Sequence, residues 1–496
     1  MNSYNKNLAS SLQELKRLQD EGHVVFHGTD ELTRTHLERL INAGFLTEVI
    51  RGWYIIDNPS NGQNTTVAWF SNYWKFVSIY ERYSNGEQWC LSPEQSIDIC
   101  AGNTTIPNQI TVYVTKGGNR VINLLHGTSI FEIRKSQLPN DIMTIEENGI
   151  NIWPIESAIA NVSITYWDKD PDSIRICLRS IKDTSIITAE LIEKSAPAKA
   201  GKIISALKSL GRVNEAERME KTLKRFGCRI DYTESPFKGS EKYLRSGKIA
   251  SMWKKMRPQV LASFSKTPGT NVSIESIDEK YKEDAYNSLS IEGYVVTQEL
   301  IDRVSSGKWN PIENEEDREH KNALAARGYY QAFQRVRETI IRIRKNRLNP
   351  GKTIEADFMD WYVDMWQPFV AAGLLKISDI VGYRNRPVYI KNSRHVPPAY
   401  NKLLDYMEEY FKCMSEEDNA SVRAVLGNFF MTWIHPFNDG NGRMARFIMN
   451  VMLTTGGYPW TIVPVESRNR YMATLEKAST ENDISEFAAL ISELIK

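Results

Sequence analysis

The 496-residue sequence has no apolar run of membrane-spanning length, so no segment reads as a spanning helix and no membrane partner is expected. Cysteine is scarce: Cys90, Cys100, Cys177, Cys228 and Cys413 are widely spaced, odd in number and without a CxxC pair. Such a set argues against a disulfide framework or a cysteine-built zinc site and for reduced thiols. Excess charge of one sign is also missing, with 62 Lys and Arg against 61 Asp and Glu. At a net charge of +1 no global field selects nucleic acid or a membrane surface, and any basic patch must be local. The opening MNSYNKNLASS is polar and unlike a leader, which makes the cytoplasm the expected location. What is present is length, enough for two to four domains with sizeable cores.

Chemistry concentrates in residues 435–446, HPFNDGNGRMAR. Upstream, Val422, Val425, Leu426, Phe429, Phe430, Trp433 and Ile434 predict a buried helix that delivers His435. Downstream, residues 443–455 predict a second helix, closed by Gly456 and Gly457. The loop thus lies at a helix start, where free backbone N–H groups and the dipole favour an anion. Gly440 and Gly442 let the backbone approach a phosphate, and Arg443 and Arg446 add charge-assisted contacts one turn apart. A carboxylate here, Asp439, repels phosphate unless a cation intervenes, and Mg²⁺ is the usual one. His435 suits a general base acting on a hydroxyl. The plainer alternative is a glycine-rich interhelical turn with a capping Asp and two surface arginines.

This stretch resembles the signature of the Fic family, HPFx(D/E)GNGRxxR, at every defined position. The resemblance implies transfer of AMP from ATP to a protein hydroxyl, with pyrophosphate leaving. By resemblance His435 is the base, Phe437 anchors the loop in the core and Asp439 holds Mg²⁺. Gly440, Asn441 and Gly442 form the anion cradle, and Arg443 and Arg446 bind phosphates. The family's kinase-like branch has Lys where this chain has Gly442, which argues against that branch.

Ahead of this region the chain changes character several times. Residues 4–20 predict a helix with Leu8, Leu12, Leu15 and Leu18 on one side, and residues 31–43 predict another, facing inward through Leu32, Leu37, Leu40 and Ile41. A hairpin over 45–56 follows. Helices followed by a hairpin suggest a winged helix-turn-helix over 1–58, with Arg34, His36 and Arg39 on the exposed side of a recognition helix and Arg51 on the wing as DNA contacts. Few cationic side chains are available there for phosphate contacts, and a scaffold that never meets DNA is the alternative. Residues 57–66 predict a linker. Within 66–235, residues 89–95 lead into a short helix, 109–114 predict a strand, and 155–162, 186–194, 198–210 and 214–226 predict helices; His126 reads as structural. Residues from about 8 to 235, including LSPEQS and LLHGTS, resemble AbiEi-type antitoxins, which implies autoregulation of transcription or contact with a partner. Residues 235–273 read as a basic, loop-forming connection into a mostly helical Fic domain over 245–496. The expected fold class is therefore multi-domain α+β: winged helix, mixed α/β middle domain, helical Fic domain.

Three further segments bear on the site. Ser288, Glu292 and Gly293, on a helix over about 282–293, match the family's inhibitory motif (S/T)xxxE(G/N). By resemblance Glu292 pairs with Arg446 and occupies the room of the ATP γ-phosphate, so the chain is expected to be autoinhibited, to self-modify, and to be released by Glu292→Gly. Val388, Tyr389 and Ile390 resemble the strand of a β-hairpin flap that pairs with the target segment; His395 reads as a surface or hairpin residue. Tyr471 is placed where the family builds its adenine pocket, although core is as good a reading. Gly351-Lys352-Thr353 is not a phosphate loop, because Asn346 stands where the first glycine is required. A long helix is expected over 320–347. Three other readings stay open: a hydrolase that removes AMP, another nucleotide donor, and a DNA-binding regulator whose site senses nucleotide. Protein substrates are the expected partners, with DNA and a second copy of the chain as further ones.

Overall fold

The computed structural model describes residues 3–59, 66–237, 247–269, 272–308 and 321–495. The chain clusters into two compact units: Met1–Arg245 with Tyr389–Val396, and Ser246–Val388 with Pro397–Lys496.

The first unit begins with α1 (Ser3–Asp20), β1 (Val25–His27), α2 (Gly28–Glu31), α3 (Arg34–Asn42), β2 (Leu46–Ile50) and β3 (Trp53–Ile56). The single helix expected over 31–43 is broken because Leu32 turns extended to enter the core and the Thr33 hydroxyl caps α3 at the His36 N–H. Gly44, at φ 75°, closes α3, and Gly52, at φ 82°, turns the hairpin. The three strands pair antiparallel in the order β1-β3-β2. Leu15, Leu18, Phe26, Leu37, Leu40 and Leu46 form the core beneath them. Residues 60–65 of the expected linker lie outside the described residues.

Next come α4 (Val67–Asn85), β4 (Trp89–Leu91), α5 (Pro93–Cys100), β5 (Gln109–Val114), β6 (Arg120–Asn123), β7 (Ser129–Arg134), β8 (Met143–Ile145) and β9 (Ile150–Ile152). The four-stranded sheet runs β4-β5-β7-β6, with β5 and β7 parallel. The aromatic helix α4 buries Trp69, Phe70, Tyr73 and Phe76 in the same core as Ile110, Val112 and Ile130 of this sheet. Six helices follow among the described residues: α6 (Ile155–Asn161), α7 (Ile164–Lys169), α8 (Pro171–Ser180), α9 (Ser185–Lys194), α10 (Pro197–Ser209) and α11 (Val213–Arg225).

The second unit is mostly helical and has no strand among its described residues. It comprises α12 (Lys248–Ser263), α13 (Ile274–Ile291), α14 (Gln298–Ser305), α15 (Lys321–Asn346), α16 (Pro350–Ala371), α17 (Leu403–Glu416), α18 (Ala420–Ile434), α19 (Asn441–Thr455), α20 (Arg468–Glu481) and α21 (Ser485–Leu494). Residues expected as a loop before position 273 instead form α12, because Ile249, Met252, Trp253, Met256 and Val260 recur at helical spacing and are buried. Lys238, Lys242 and Arg245 of that basic stretch lie outside the described residues. Helices α18 and α19 are buried on nearly every side and sit at the centre of the bundle, where Trp253 of α12 stacks on Phe430 at 5.6 Å.

The expected flap hairpin does not form: Val388, Tyr389 and Ile390 belong to no strand. Pro387 offers no N–H to a ladder at that point. His395, expected near the surface, is buried at 1% exposure.

Candidate active site

Helix α18 ends at His435, whose left-handed backbone (φ 53°, ψ 56°) turns the chain out of the helix. Its Nδ1 lies 3.1 Å from the Thr432 carbonyl oxygen. A carbonyl only accepts, so Nδ1 carries the proton and the Nε2 lone pair is left free. Burial, reinforced by the charge of Arg384, pushes the imidazole pKa down to about 4, against the opposing pull of the Thr432 hydrogen bond, Glu292 and Asp439. The ring is neutral across the physiological range.

Phe437 is buried and lies flat on Tyr362, ring centroids 3.7 Å apart and planes 8° from parallel. The Asn441 side chain fastens the loop to this anchor: its Oδ1 accepts from the Phe437 N–H at 3.0 Å and its Nδ2 donates to the Phe437 carbonyl at 2.9 Å. Asn441 is 1% exposed, so its side chain holds the loop's shape and does not line a cradle. Gly440 precedes α19 at φ 85°, a conformation that favours glycine. The first N–H groups of α19 have no carbonyl one turn back and point out of the helix start. The Asp439 side chain stands in solvent at 63% exposure, its Oδ1 accepting the Gly440 N–H at 2.5 Å.

The two arginines are held differently. Arg446 is held through two of its nitrogens: Nε donates to Ser288 Oγ at 2.9 Å, and Nη2 to the Ser288 carbonyl at 3.1 Å and to Glu292 Oε1 at 2.6 Å, while Nη1 meets no acceptor. Burial alone would raise the Glu292 carboxyl pKa, but the charges of Arg446 and Arg443 and the Arg446 hydrogen bond outweigh it and hold it below the usual range. A Cβ on Gly442 would collide with Glu292 Oε1, so the glycine is required for this pairing as well as for backbone approach. Gly293, at φ 88°, ends α13 directly after Glu292. Arg443 is equally buried, yet its Nε, Nη1 and Nη2 meet no hydrogen-bond acceptor. Its nearest carboxylate oxygen is Asp439 Oδ1 at 3.6 Å, and its Cζ lies 4.7 Å from the Trp366 ring centroid and 5.3 Å from that of Tyr294. Each ring face offsets part of the burial cost, on the order of 1–2 kcal/mol where water is excluded.

Other predicted residues fall elsewhere. Tyr471 is 1% exposed, donates to Asn428 Oδ1 at 2.9 Å and packs on Phe487, so it belongs to the core. His36 turns toward α1, its Nδ1 2.9 Å from Ser11 Oγ, and is not on the outer face; Arg34 and Arg51 are exposed and Arg39 half-buried. His126 is exposed and near Phe70.

Sequence reasoning missed Arg384. Its backbone N–H donates to the Pro436 carbonyl and its Nε to the His435 carbonyl, both at 2.8 Å, while Nη2 reaches the Pro398 carbonyl at 2.5 Å. Burial lowers its pKa to about 10. Arg386 donates to Asn438 Oδ1 at 3.2 Å. Trp366, Tyr294 and Tyr329, which donates to the buried Asp284 at 2.6 Å, were also unmarked.

Among the described residues no group of three or more His, Cys, Asp and Glu could hold a metal unaided. The exposed Asp439 carboxylate beside a helix start fits a hard cation that draws most of its ligands from phosphate and water.

The Fic/DOC family model matches residues 356–453. Protein adenylyltransferase Fic of Drosophila yakuba is 35% identical over 115 residues, 22% of this chain and 23% of that protein. The Drosophila melanogaster protein of the same name is 33% identical over 115 residues, again 22% of this chain and 23% of its own length. The match thus spans about a quarter of these curated relatives. Among solved structures, a Fic domain containing signaling protein from Bacteroides thetaiotaomicron overlaps 50% of this chain and 90% of its own, at 18% identity and a TM-score of 0.34. Fic-1 from C. elegans overlaps 67% and 94%, at 16% identity and a TM-score of 0.36. Overlap at that level carries no weight for fold or chemistry. Residues 356–453, which bear the loop, both arginines and the helices on either side of it, form a Fic/DOC-family domain.

Proposed function

We propose that this chain transfers AMP from ATP to Ser, Thr or Tyr hydroxyls of proteins, itself included, and that Glu292 restrains it at rest. One observation carries the reading: a neutral imidazole with Nε2 free stands beside a glycine-edged helix start and two buried guanidinium groups. His435 Nε2 accepts the proton of the incoming hydroxyl. The α19 N–H groups, Arg443 and Arg446 bind phosphate oxygens and the charge that develops as pyrophosphate leaves. Asp439 would hold Mg²⁺ together with those phosphates, and the cation would offset their charge and orient them. The relatives' name, protein adenylyltransferase, supports AMP as the group transferred.

The restraint follows from competition for one cation. Glu292 Oε1 occupies Arg446 at 2.6 Å, and a phosphate that needs Arg446 must displace it. In the test, full-length protein and its His435→Ala form are incubated with ATP labelled on the α-phosphate. His435→Ala should lose covalent labelling and keep ATP binding. Loss of binding together with labelling would assign the histidine a structural role and overturn the reading.

A second reading concerns the first unit alone. Its order α1-β1-α2-α3-β2-β3 with sheet order β1-β3-β2 supports a winged helix-turn-helix, with Arg34, Arg39 and Arg51 toward DNA, as in an AbiEi-like autoregulator. Titration of the chain's own promoter DNA at two salt concentrations should give a steep loss of affinity with salt. No binding above that of a scrambled duplex would remove it.

A further inference from the structure

We infer that Tyr294 and Trp366 are positioning residues for Arg443, and that the turn bearing Glu292 thereby governs both arginines of the site. Arg443 is fully buried, makes no hydrogen bond through its three nitrogens, and has as its nearest carboxylate a side chain that stands in solvent. What surrounds the cation is aromatic: the Trp366 ring at 4.7 Å and the Tyr294 ring at 5.3 Å. A ring face attracts a guanidinium without consuming its N–H groups, which point outward in the guanidinium plane. Arg443 is therefore fixed and dry, with its donors still available to an incoming anion.

The two rings differ in how they are held. Trp366 lies on the long helix α16, and a Cβ on Gly440 would come within 3.1 Å of its Nε1, so it also backs the loop. Tyr294 lies on no helix. It follows Gly293 in the turn that ends α13, secured by its own N–H to the Leu289 carbonyl at 3.1 Å. One turn thus places the Glu292 carboxylate on Arg446 and, two residues later, an aromatic ring on Arg443. An anion that dislodges Glu292 acts on the same turn that aims Arg443. The inference rests on the proposed function only in taking that anion to be a triphosphate.

The test uses the full chain carrying Glu292→Ala as parent, with Tyr294→Ala, Tyr294→Phe and Trp366→Leu added singly. Binding of inorganic tripolyphosphate is measured by calorimetry, and KM and kcat for ATP by covalent labelling. Tyr294→Ala and Trp366→Leu should each weaken tripolyphosphate binding about tenfold (~1.4 kcal/mol). KM for ATP should rise by a similar factor, with kcat changed far less. Tyr294→Phe, which keeps the ring, should restore binding to within about twofold of the parent. If Tyr294→Ala melts below assay temperature, Tyr294→Leu makes the same comparison, apolar but without a π face. Tripolyphosphate binding equal to the parent's in Tyr294→Ala overturns the inference, as does a Phe form as weak as the Ala form. A parent that binds tripolyphosphate with this ring dependence yet never labels with ATP removes the proposed function and leaves the inference standing. A parent that binds no tripolyphosphate removes both.

Discussion

Replacing Glu292 by alanine should make the protein less stable and more active at once, and the structure sets the size of both effects. The Arg446 side chain is 3% exposed and its carboxylate partner 22% exposed, so loss of Glu292 leaves a buried guanidinium without its ion-pair partner, with the Asp284 carboxyl acting on it only from farther away. Breaking a buried pair from one side costs roughly 3–5 kcal/mol. Arg446 keeps the Ser288 hydroxyl and carbonyl, which places the loss near the lower end, at about 3 kcal/mol. For a unit of this size that corresponds to a fall in Tm of roughly 6–12 °C. The same energy must be overcome when a phosphate takes Arg446 in the intact protein, so its removal should raise the labelling rate on the order of a hundredfold. Saturating ATP should then return most of the lost Tm to the variant, since ligand at a thousand times its Kd stabilises by about 4 kcal/mol, and should shift the unmodified protein far less. Scanning calorimetry with and without ATP, run beside covalent labelling, measures all of this. A variant that melts with the parent, or labels within twofold of it, refutes the argument. Glu292→Gly should behave alike with a slightly lower Tm from its added backbone freedom.

Asn441→Ala should remove both side-chain bonds to Phe437 and leave a buried N–H and C=O without partners, at about 1–3 kcal/mol each; unchanged calorimetric stability would deny the side chain its fastening role. Gly442→Ala should push the Glu292 carboxylate off Arg446 and raise labelling above the parent but below Glu292→Ala, with little further effect once Glu292 is alanine; additive effects would contradict this. The pH dependence follows from His435, whose folded pKa of about 4 lies below the ordinary histidine value near 6.5. The basic form is the neutral one, and Glu292→Ala lacks one of the charges that raise this pKa, so labelling by that variant should stay flat through this group from pH 8 down to pH 5 and fall only at about pH 4 or below. Between 6.5 and 4 the unfolded chain binds the extra proton, so this histidine costs stability progressively as pH falls through that window. A labelling midpoint near 6.5 would show that the ring is not held as the structure places it.

Local pattern was legible and distant partnership was not. The helices on either side of His435 and the long α15 could be read from apolar spacing, because a helix that crosses the core must be apolar on its buried sides. The motif gave the loop its position at a helix start for the same reason. The break at Thr33 was also local, a strong cap inside an otherwise helical pattern, and could have been seen. Arg384 could not: its partners are carbonyls fourteen and fifty-one positions away, and backbone carbonyls leave no mark in a sequence. Tyr471 and Asn441 were assigned to the ligand because tyrosine and asparagine serve pockets as readily as cores, and only the Asn428 and Phe437 contacts decide between the two. The flap expectation failed on Pro387, whose missing N–H outweighs the β propensity of the three residues after it.

The contrast between the arginines bears on which anions the loop accepts. Arg446 enters with three hydrogen bonds already made, and any ligand that recruits it gives up a 2.6 Å ion pair in exchange. Arg443 enters with none, and a ligand that recruits it gives up only ring contacts that can persist alongside the new bond. A short anion able to reach Arg443 and the α19 N–H groups should therefore bind without disturbing Glu292, while one long enough to span both arginines must displace it. Pyrophosphate should then bind the intact protein and its Glu292→Ala form about equally, whereas tripolyphosphate should prefer the variant by a wide margin. Equal preference for both anions would mean that Glu292 does not stand between the two arginines' ligands, and the competition on which the restraint depends would have no physical basis.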